Sequence, residues 1–272
     1  MSTLPYLIEK ASRIPVDRLH QFGHGLLPLL RMAYRRRIVA KNLAYAFPNT
    51  DPEPLVDGFY TAFSEVCMEV LRGKSMTAAE LRRRVTFEGV AALDGGSALL
   101  LMAHHGNLVW SLIALAGAAP LPVSVVYKTP HLPVMRDLLV GIAERFGVTP
   151  VPVKELRRRL VAQRQQRRIW TLVADQRPGR DRRMVRLCGR ETAFFGGPER
   201  IARAFNWPVF YLSCERLAPG RYHCRIEKIA EAPFGPDGSV TERYAACVQA
   251  DIDRAPADWL WSHDRWRGQQ GR

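Results

Sequence analysis

The chain has 272 residues, 47% of them hydrophobic, and 40 Lys and Arg against 26 Asp and Glu give a formal charge of +14. That bounds it to one large core, or one core with a small helical appendage, and its field attracts polyanions: nucleic acid, an anionic membrane surface or an acidic protein. The five cysteines at 67, 188, 214, 224 and 247 are odd in number and form no CxxC pair, which points to free thiols in a reducing compartment and against a zinc or other metal site.

Most of the positive charge is arginine, whose planar fork suits phosphate. The longest early apolar run, Gly25 to Leu30, falls far short of the roughly 20 residues a spanning helix needs. The stretch from Leu108 to Val126 is broken by Pro120 and Pro122 and suits a helix followed by a strand. With no signal peptide, these features predict a soluble or peripheral protein.

In chain order, residues 1–48 read as an amphipathic helical segment whose basic face carries Arg31, Arg35, Arg36, Arg37 and Lys41. Such a helix either lies in a membrane interface or packs on the domain with its basic face solvated. FPNTDPEP (47–54) reads as a turn and helix start. A helix follows over 53–72, with Phe59, Phe63, Val66 and Val70 at helical spacing. A short one over 77–84 opens with Thr77 and Glu80 in capping-box spacing.

From residue 85 the periodicity changes. VTFEGV and ALLLMA read as strands, 107–117 as a helix, 122–127 as a strand and 132–146 as a helix. A short strand over 149–152, a basic helix over 154–167 and a buried strand over 169–174 come next. A helix over 198–205, strands over 208–215 and 221–229 and a helix over 240–254 complete the pattern. Alternating β and α at this spacing predicts an α/β fold with a mostly parallel central sheet flanked by helices. The organisation expected is an N-terminal helical, membrane-associating segment (1–84) continuous with an α/β domain (85–272).

Four stretches carry candidate chemistry. In LLLMAHHGNLVW (99–110) a buried strand ends in His104 and His105, where open α/β sheets hold their ligands. Gly106 permits close backbone approach, Asn107 caps the next helix, and a histidine there is placed to act as a general base; an ordinary strand-to-helix turn is the plain alternative. In IWTLVADQRPGR (169–180), Asp175 and Arg177 fall at another strand's carboxyl end, on the same sheet edge. In RLCGRETAFFGGPERIA (186–202), Phe194 and Phe195 either line an apolar slot or belong to the core. PADWLWSHDRW (256–266) is either an interfacial aromatic–basic cluster or C-terminal packing.

Taken together and in this order, these stretches resemble the lipid A biosynthesis (late) acyltransferase family, within the lysophospholipid acyltransferase superfamily. Asn42, Leu43, Ala46, Phe47 and Pro48 match its NL..AFP segment, and Glu88 with Gly89 its strand before the catalytic strand. His104, Gly106 and Asn107 match His-x-Gly-Asn, and Asp175, Gln176 and Pro178 match DQ.P. Gly197, Pro198, Ile201 and Ala202 match GP..(I/L)A. Pro256, Trp259, Leu260, Trp261, His263, Arg265 and Trp266 match P..WLW.H.RW. The match spans about residues 35–267.

The resemblance implies a glycerolipid acyltransferase-like fold. The implied activity is transfer of a fatty acyl or related chain from acyl carrier protein to a hydroxyl of a membrane lipid, a lipid A precursor or a specialised glycolipid. No cofactor is implied beyond the acyl-thioester. His104 would take the hydroxyl proton; Gly106, Asn107, Lys128, Arg136, Gln176, Arg177 and Arg190 would bind substrate. The implied partners, acidic acyl carrier protein and anionic membrane lipid, suit a +14 chain. The implied location is peripheral, at the cytoplasmic face of the bacterial inner membrane. Family members often carry an N-terminal spanning helix; the segment here is too short and too charged for one.

The chain departs from the family at one position. The acid expected five residues after the histidine is Val109 counted from His104, or Trp110 counted from His105. Three readings follow: a carboxylate from another loop, Asp175 first and Glu191 second; assistance from His105; or a catalytically weak member that binds acyl carrier protein or lipid. Nucleic-acid binding is suggested by charge alone, without a recognition motif, and no nucleic-acid partner is expected.

Overall fold

The computed structural model describes residues 3–179 and 181–267. The N-terminal segment forms not one amphipathic helix but four: α1 (Thr3–Ser12), α2 (Val16–Gly25), α3 (Leu27–Ala33) and α4 (Arg36–Ala46). Pro15 and Pro28 account for the first two breaks, since neither can donate into a continuing helix. At the third, Arg35 turns left-handed with φ at 51°. The long helix α5 (Pro52–Gly73) starts at Asp51, whose side chain accepts from the Glu53 N–H. Helix α6 (Ala78–Arg84) starts at Thr77, which accepts from the Glu80 N–H.

The strands β1 (Val85–Glu88), β2 (Ala98–Met102), β3 (Val123–Tyr127), β4 (Thr149–Pro152), β5 (Ile169–Val173), β8 (Val209–Ala218) and β9 (Arg221–Ala230) form one seven-stranded sheet in the order β1-β9-β8-β2-β5-β3-β4. Every neighbouring pair is parallel except the β8–β9 hairpin. Continuous apolar runs are what a parallel strand covered on both faces requires; all five residues of β2 are buried. Helices α7 (Leu108–Ala118) and α8 (Pro133–Arg145) follow β2 and β3, and α9 (Leu156–Ala162) follows β4. Helix α9 is shorter than expected, because QRQQRR after Ala162 has no apolar side to bury.

Helices α10 (Gly197–Phe205) and α11 (Ser239–Arg254) share a core with α4 and α5, while Val16 of α2 and Leu81 of α6 join a second core. Val39, Leu43, Phe59 and Tyr60 from the first 84 residues share one core with Leu99, Trp170, Tyr211 and Val248. One further element escapes the sequence pattern: β6 (Arg182–Leu187) and β7 (Arg190–Phe195) form a separate antiparallel hairpin. Its two-residue loop, Cys188 and Gly189, has φ of 52° and 72°. Two left-handed residues match the twist of paired strands, but Cys-Gly is not the usual Asn-Gly signal.

Candidate active site

Strands β2 and β5 run parallel with Met102 opposite Val173. His104 and Asp175 each lie two residues beyond that pair, so the register brings them face to face at the sheet's carboxyl edge. The His104 Nδ1 lies 2.6 Å from Asp175 Oδ1, and the His104 backbone N–H donates to Asp175 Oδ2 at 2.9 Å. Asp175 is 2% exposed, while the imidazole keeps a quarter of its surface open, with the Gln176 amide nitrogen 3.3 Å from its Nε2.

Burial alone would raise the Asp175 pKa; the His104 charge, the ring and backbone N–H groups of His104 and the Trp259 indole outweigh it and hold the carboxyl down to about 2. For His104 burial opposes the charged form, but the adjacent Asp175 charge prevails and raises the pKa above 6.5. With Asp175 an ionised acceptor at Nδ1, the neutral ring carries its proton there and its lone pair on Nε2.

The turn is fixed from two sides. Gly106 has φ of +59°, and a Cβ there would lie 2.8 Å from Cys214 Sγ and 2.9 Å from the Cys214 carbonyl oxygen, so only glycine fits. Asn107 caps α7 by accepting from the Trp110 N–H at 2.8 Å. On the other side the C-terminal strap is hydrogen-bonded to the turn: Gly106 N–H donates to Asp258 O at 3.0 Å and Leu260 N–H to His104 O at 2.9 Å. Trp259 Nε1–H completes the cage by donating to Asp175 Oδ2 at 2.9 Å.

Glu69 on α5 is fully buried beneath this turn. It accepts from Asn107 Nδ2 at 2.7 Å, the Tyr222 hydroxyl at 2.6 Å and the Gly220 N–H at 2.9 Å, and pairs with His20 Nε2 at 3.0 Å. Burial would raise its pKa; the bonds from His20 and Tyr222, the Arg216 charge and the bond from Asn107 bring it below the usual value. The sequence reading missed this hub. Its one signal was Glu65 and Glu69 falling on the apolar stripe of α5, where a carboxylate needs a partner.

An apolar cavity of about 150 Å³ lies between β2, β3, β5 and helices α7 and α8. Met102, Leu108, Val109, Leu112, Leu139 and Val173 are among its walls, so it adjoins both polar turns along the chain. Val109, where the family has an acid, is part of that wall. Lys128 and Arg136 are the charged residues of the lining, and both are exposed.

Several expectations need correction. Glu191 is exposed on the β6–β7 hairpin opposite Arg186, and the carboxylate that meets His104 is Asp175. His105 is buried with both ring nitrogens against backbone carbonyls, Cys214 at 3.1 Å and Ala255 at 3.0 Å, so it holds the turn and faces away from the open side of the site. Asn107 is fully buried and spent on the cap and Glu69, which removes it from the substrate-binding set. Gly106, closed against Cys214, shapes the turn in the same way. Arg190 donates to the Tyr45 carbonyl at 3.0 Å and stacks on the Tyr45 ring at 3.8 Å, a packing role. Phe194 is core and does not line the cavity. Trp259, Trp261 and Trp266 are buried and packed edge-on or tilted, so the C-terminal cluster is packing, not an interface. Arg177 stays exposed beside Gln176.

No curated protein matches the chain in sequence. Among solved structures, the 1-acyl-sn-glycerophosphate (LPA) acyltransferase PlsC from Thermotoga maritima is similar, at 13% identity and a TM-score of 0.43 over 89% of this chain and 96% of that one. The family model described as bacterial lipid A biosynthesis acyltransferase matches residues 11–268, nearly the whole length, and the chain belongs to that family.

Proposed function

We propose that this family member is an active enzyme that moves an acyl chain from a thioester, carried by acyl carrier protein, to a hydroxyl of a phosphorylated membrane glycolipid such as a lipid A precursor. The observation that carries the reading is the 2.6 Å contact between His104 Nδ1 and buried Asp175, which leaves Nε2 on the open side. Val109 cannot orient an imidazole; Asp175 can, and its presence favours catalysis over a binding-only role.

His104 Nε2 takes the proton of the acceptor hydroxyl as its oxygen attacks the thioester carbonyl carbon. The resulting imidazolium is stabilised by Asp175 across Nδ1. As the tetrahedral oxyanion collapses, the C–S bond breaks and the thiolate leaves with the proton from Nε2, so His104 ends neutral. Before substrate arrives, the Gln176 amide covers Nε2; the acceptor hydroxyl takes its place. The cavity behind the turn receives the acyl chain, and exposed Lys128, Arg136 and Arg177 attract the phosphates of carrier or acceptor.

No helix among the described residues is long and apolar enough to cross a membrane. The N-terminal helices instead expose Leu4, Leu7, Phe22, Leu29 and Met32, and Leu132 just before α8 and Met135 on it are exposed as well, α1 and α8 meeting across a groove lined by Leu4, Ile8, Val134 and Leu138. With the +14 charge, that surface supports peripheral docking on an anionic leaflet, the cytoplasmic face of the inner membrane.

A transfer assay with labelled acyl carrier protein and a lipid A precursor tests the reading. The parent is expected to transfer and His104→Ala to lose roughly 10³-fold or more. An inactive parent, or an unimpaired His104→Ala, overturns it.

A further inference from the structure

Arg265 lies on the C-terminal strap and is only 3% exposed, yet Nε, Nη1 and Nη2 all lack a hydrogen-bond partner among the described residues. Two positions earlier, His263 Nδ1 is buried and equally unpartnered. A buried guanidinium with five idle donors is a costly arrangement that native structures keep where something else supplies the acceptors.

Its surroundings tie it to the site. The guanidinium stacks on Phe194 at 4.6 Å, and Phe194 packs edge-on against Tyr244 at 5.7 Å. The Tyr244 hydroxyl donates to Met102 O at 2.8 Å and accepts from the Ala174 N–H at 3.3 Å, joining the ends of β2 and β5 one residue short of Ala103 and Asp175. The strap itself is bound to His104 and Asp175 through Leu260 and Trp259. Burial pulls the Arg265 pKa down to about 10, with Asp175 pulling it up and Arg177 adding to the push down. His263 is held neutral, near 4, by burial and by Arg265, with Arg35 contributing in the same sense.

We infer that Arg265 anchors a phosphate-binding subsite beside the His104–Asp175 pair, with His263 as a second donor. Arg265 makes no ion pair among the described residues, Arg177 and Arg35 add positive charge around it and His263, and the carboxylate that pulls on it, Asp175, is already committed to His104 and Trp259. The missing acceptor therefore has negative charge and several oxygens in one plane of approach, which a phosphate mono- or diester offers to an arginine fork. Which substrate brings that phosphate rests on the acyl-transfer reading: the phosphopantetheine arm of the donor and the headgroup of the acceptor share the chemistry.

The test begins without turnover. Inorganic phosphate is titrated into the full chain at fixed ionic strength, with chloride as reference anion, and the Arg265 Nε–H resonance is followed by NMR, assigned by its loss in Arg265→Lys. A saturable phosphate-specific shift is expected in the parent; in Arg265→Gln, where the neighbouring Trp266 indole N–H is followed in both proteins instead, the affinity should be at least tenfold weaker. A resonance unmoved by phosphate overturns the subsite even if Arg265→Gln fails to fold. Steady-state transfer by Arg265→Lys then separates the sources: a raised KM for the acyl carrier donor assigns the phosphopantetheine phosphate, and a raised KM for the lipid assigns its headgroup. Neither KM moving overturns a substrate phosphate. An inactive parent that still binds phosphate at Arg265 sinks the acyl-transfer reading and leaves the subsite standing.

Discussion

Asp175 meets His104 because β2 and β5 are parallel neighbours in register, and each residue stands two beyond the last matched pair, with 2.6 Å between ring nitrogen and carboxylate. The imidazole and its carboxylate partner follow strands separated by two further strands and three α-helices in the chain. A carboxylate on the helix after the histidine is therefore unnecessary, and Val109 is free to be apolar.

Asp175→Asn keeps the size of the side chain but removes the charge and favours the wrong tautomer, so turnover should fall by about 10⁴. In the parent, kcat/KM should rise with pH through the raised His104 pKa, above 6.5; in the variant any residual limb should move to lower pH. Stability follows the same pair. Asp175, lowered from 3.8 to about 2, stabilises above its unfolded value and loses that contribution as pH falls through the folded one. His104, raised above 6.5, stabilises below that value and loses its contribution as pH rises. The Tm difference between parent and Asp175→Asn should be widest between these limits and narrow on both sides.

Val109→Glu restores the family's acid by sequence but puts a carboxylate into the apolar cavity wall. It should gain no activity and lose about 1–3 kcal/mol of stability. Denaturant unfolding and the transfer assay check both; a rise in turnover would mean that the helix position still reaches His104.

Leu139→Trp fills the same cavity from α8. Acyl donors of graded length should show the preference moving to shorter chains, at about tenfold in kcat/KM for a chain one methylene too long. An unchanged length profile would place the acyl chain elsewhere.

Glu69→Ala orphans four buried groups, on His20, Asn107, Tyr222 and Gly220. The expected loss is about 3–5 kcal/mol, read as a Tm drop of roughly 10 °C. Because Asn107 caps the helix behind the histidine turn, turnover should fall as well, without a change in the pH limb.

Gly106→Ala forces a side chain onto the Cys214 carbonyl from a left-handed backbone. It should cost about 1–3 kcal/mol and, by displacing His104, about 10² in kcat. A variant with parental turnover would show that the turn yields without moving the imidazole.

Much of the fold was legible because each strand and helix is marked locally. ALLLMA and IWTLVA are uninterrupted apolar runs, Thr77 and Glu80 mark a helix start, and Asn107 marks another. What failed locally failed for local reasons: the Cys188–Gly189 hairpin lacks the usual turn pair, and the breaks at Pro15 and Arg35 sit inside a continuous amphipathic pattern. Glu191 and Asp175 looked alike as carboxylates in polar loops, and only pairing separates them.

By itself the sequence determined the family, the α/β alternation and the position of His104 at a strand's end, since these depend on residue order and periodicity within a few turns of chain. Only the tertiary structure decided the rest. Sheet order chose Asp175 as the partner of His104, packing turned Val109 into a cavity wall, and the strap's course left Arg265 buried without an acceptor. Each depends on which distant segments become neighbours, and that is set by the burial of whole faces against one another rather than by any local run of residues.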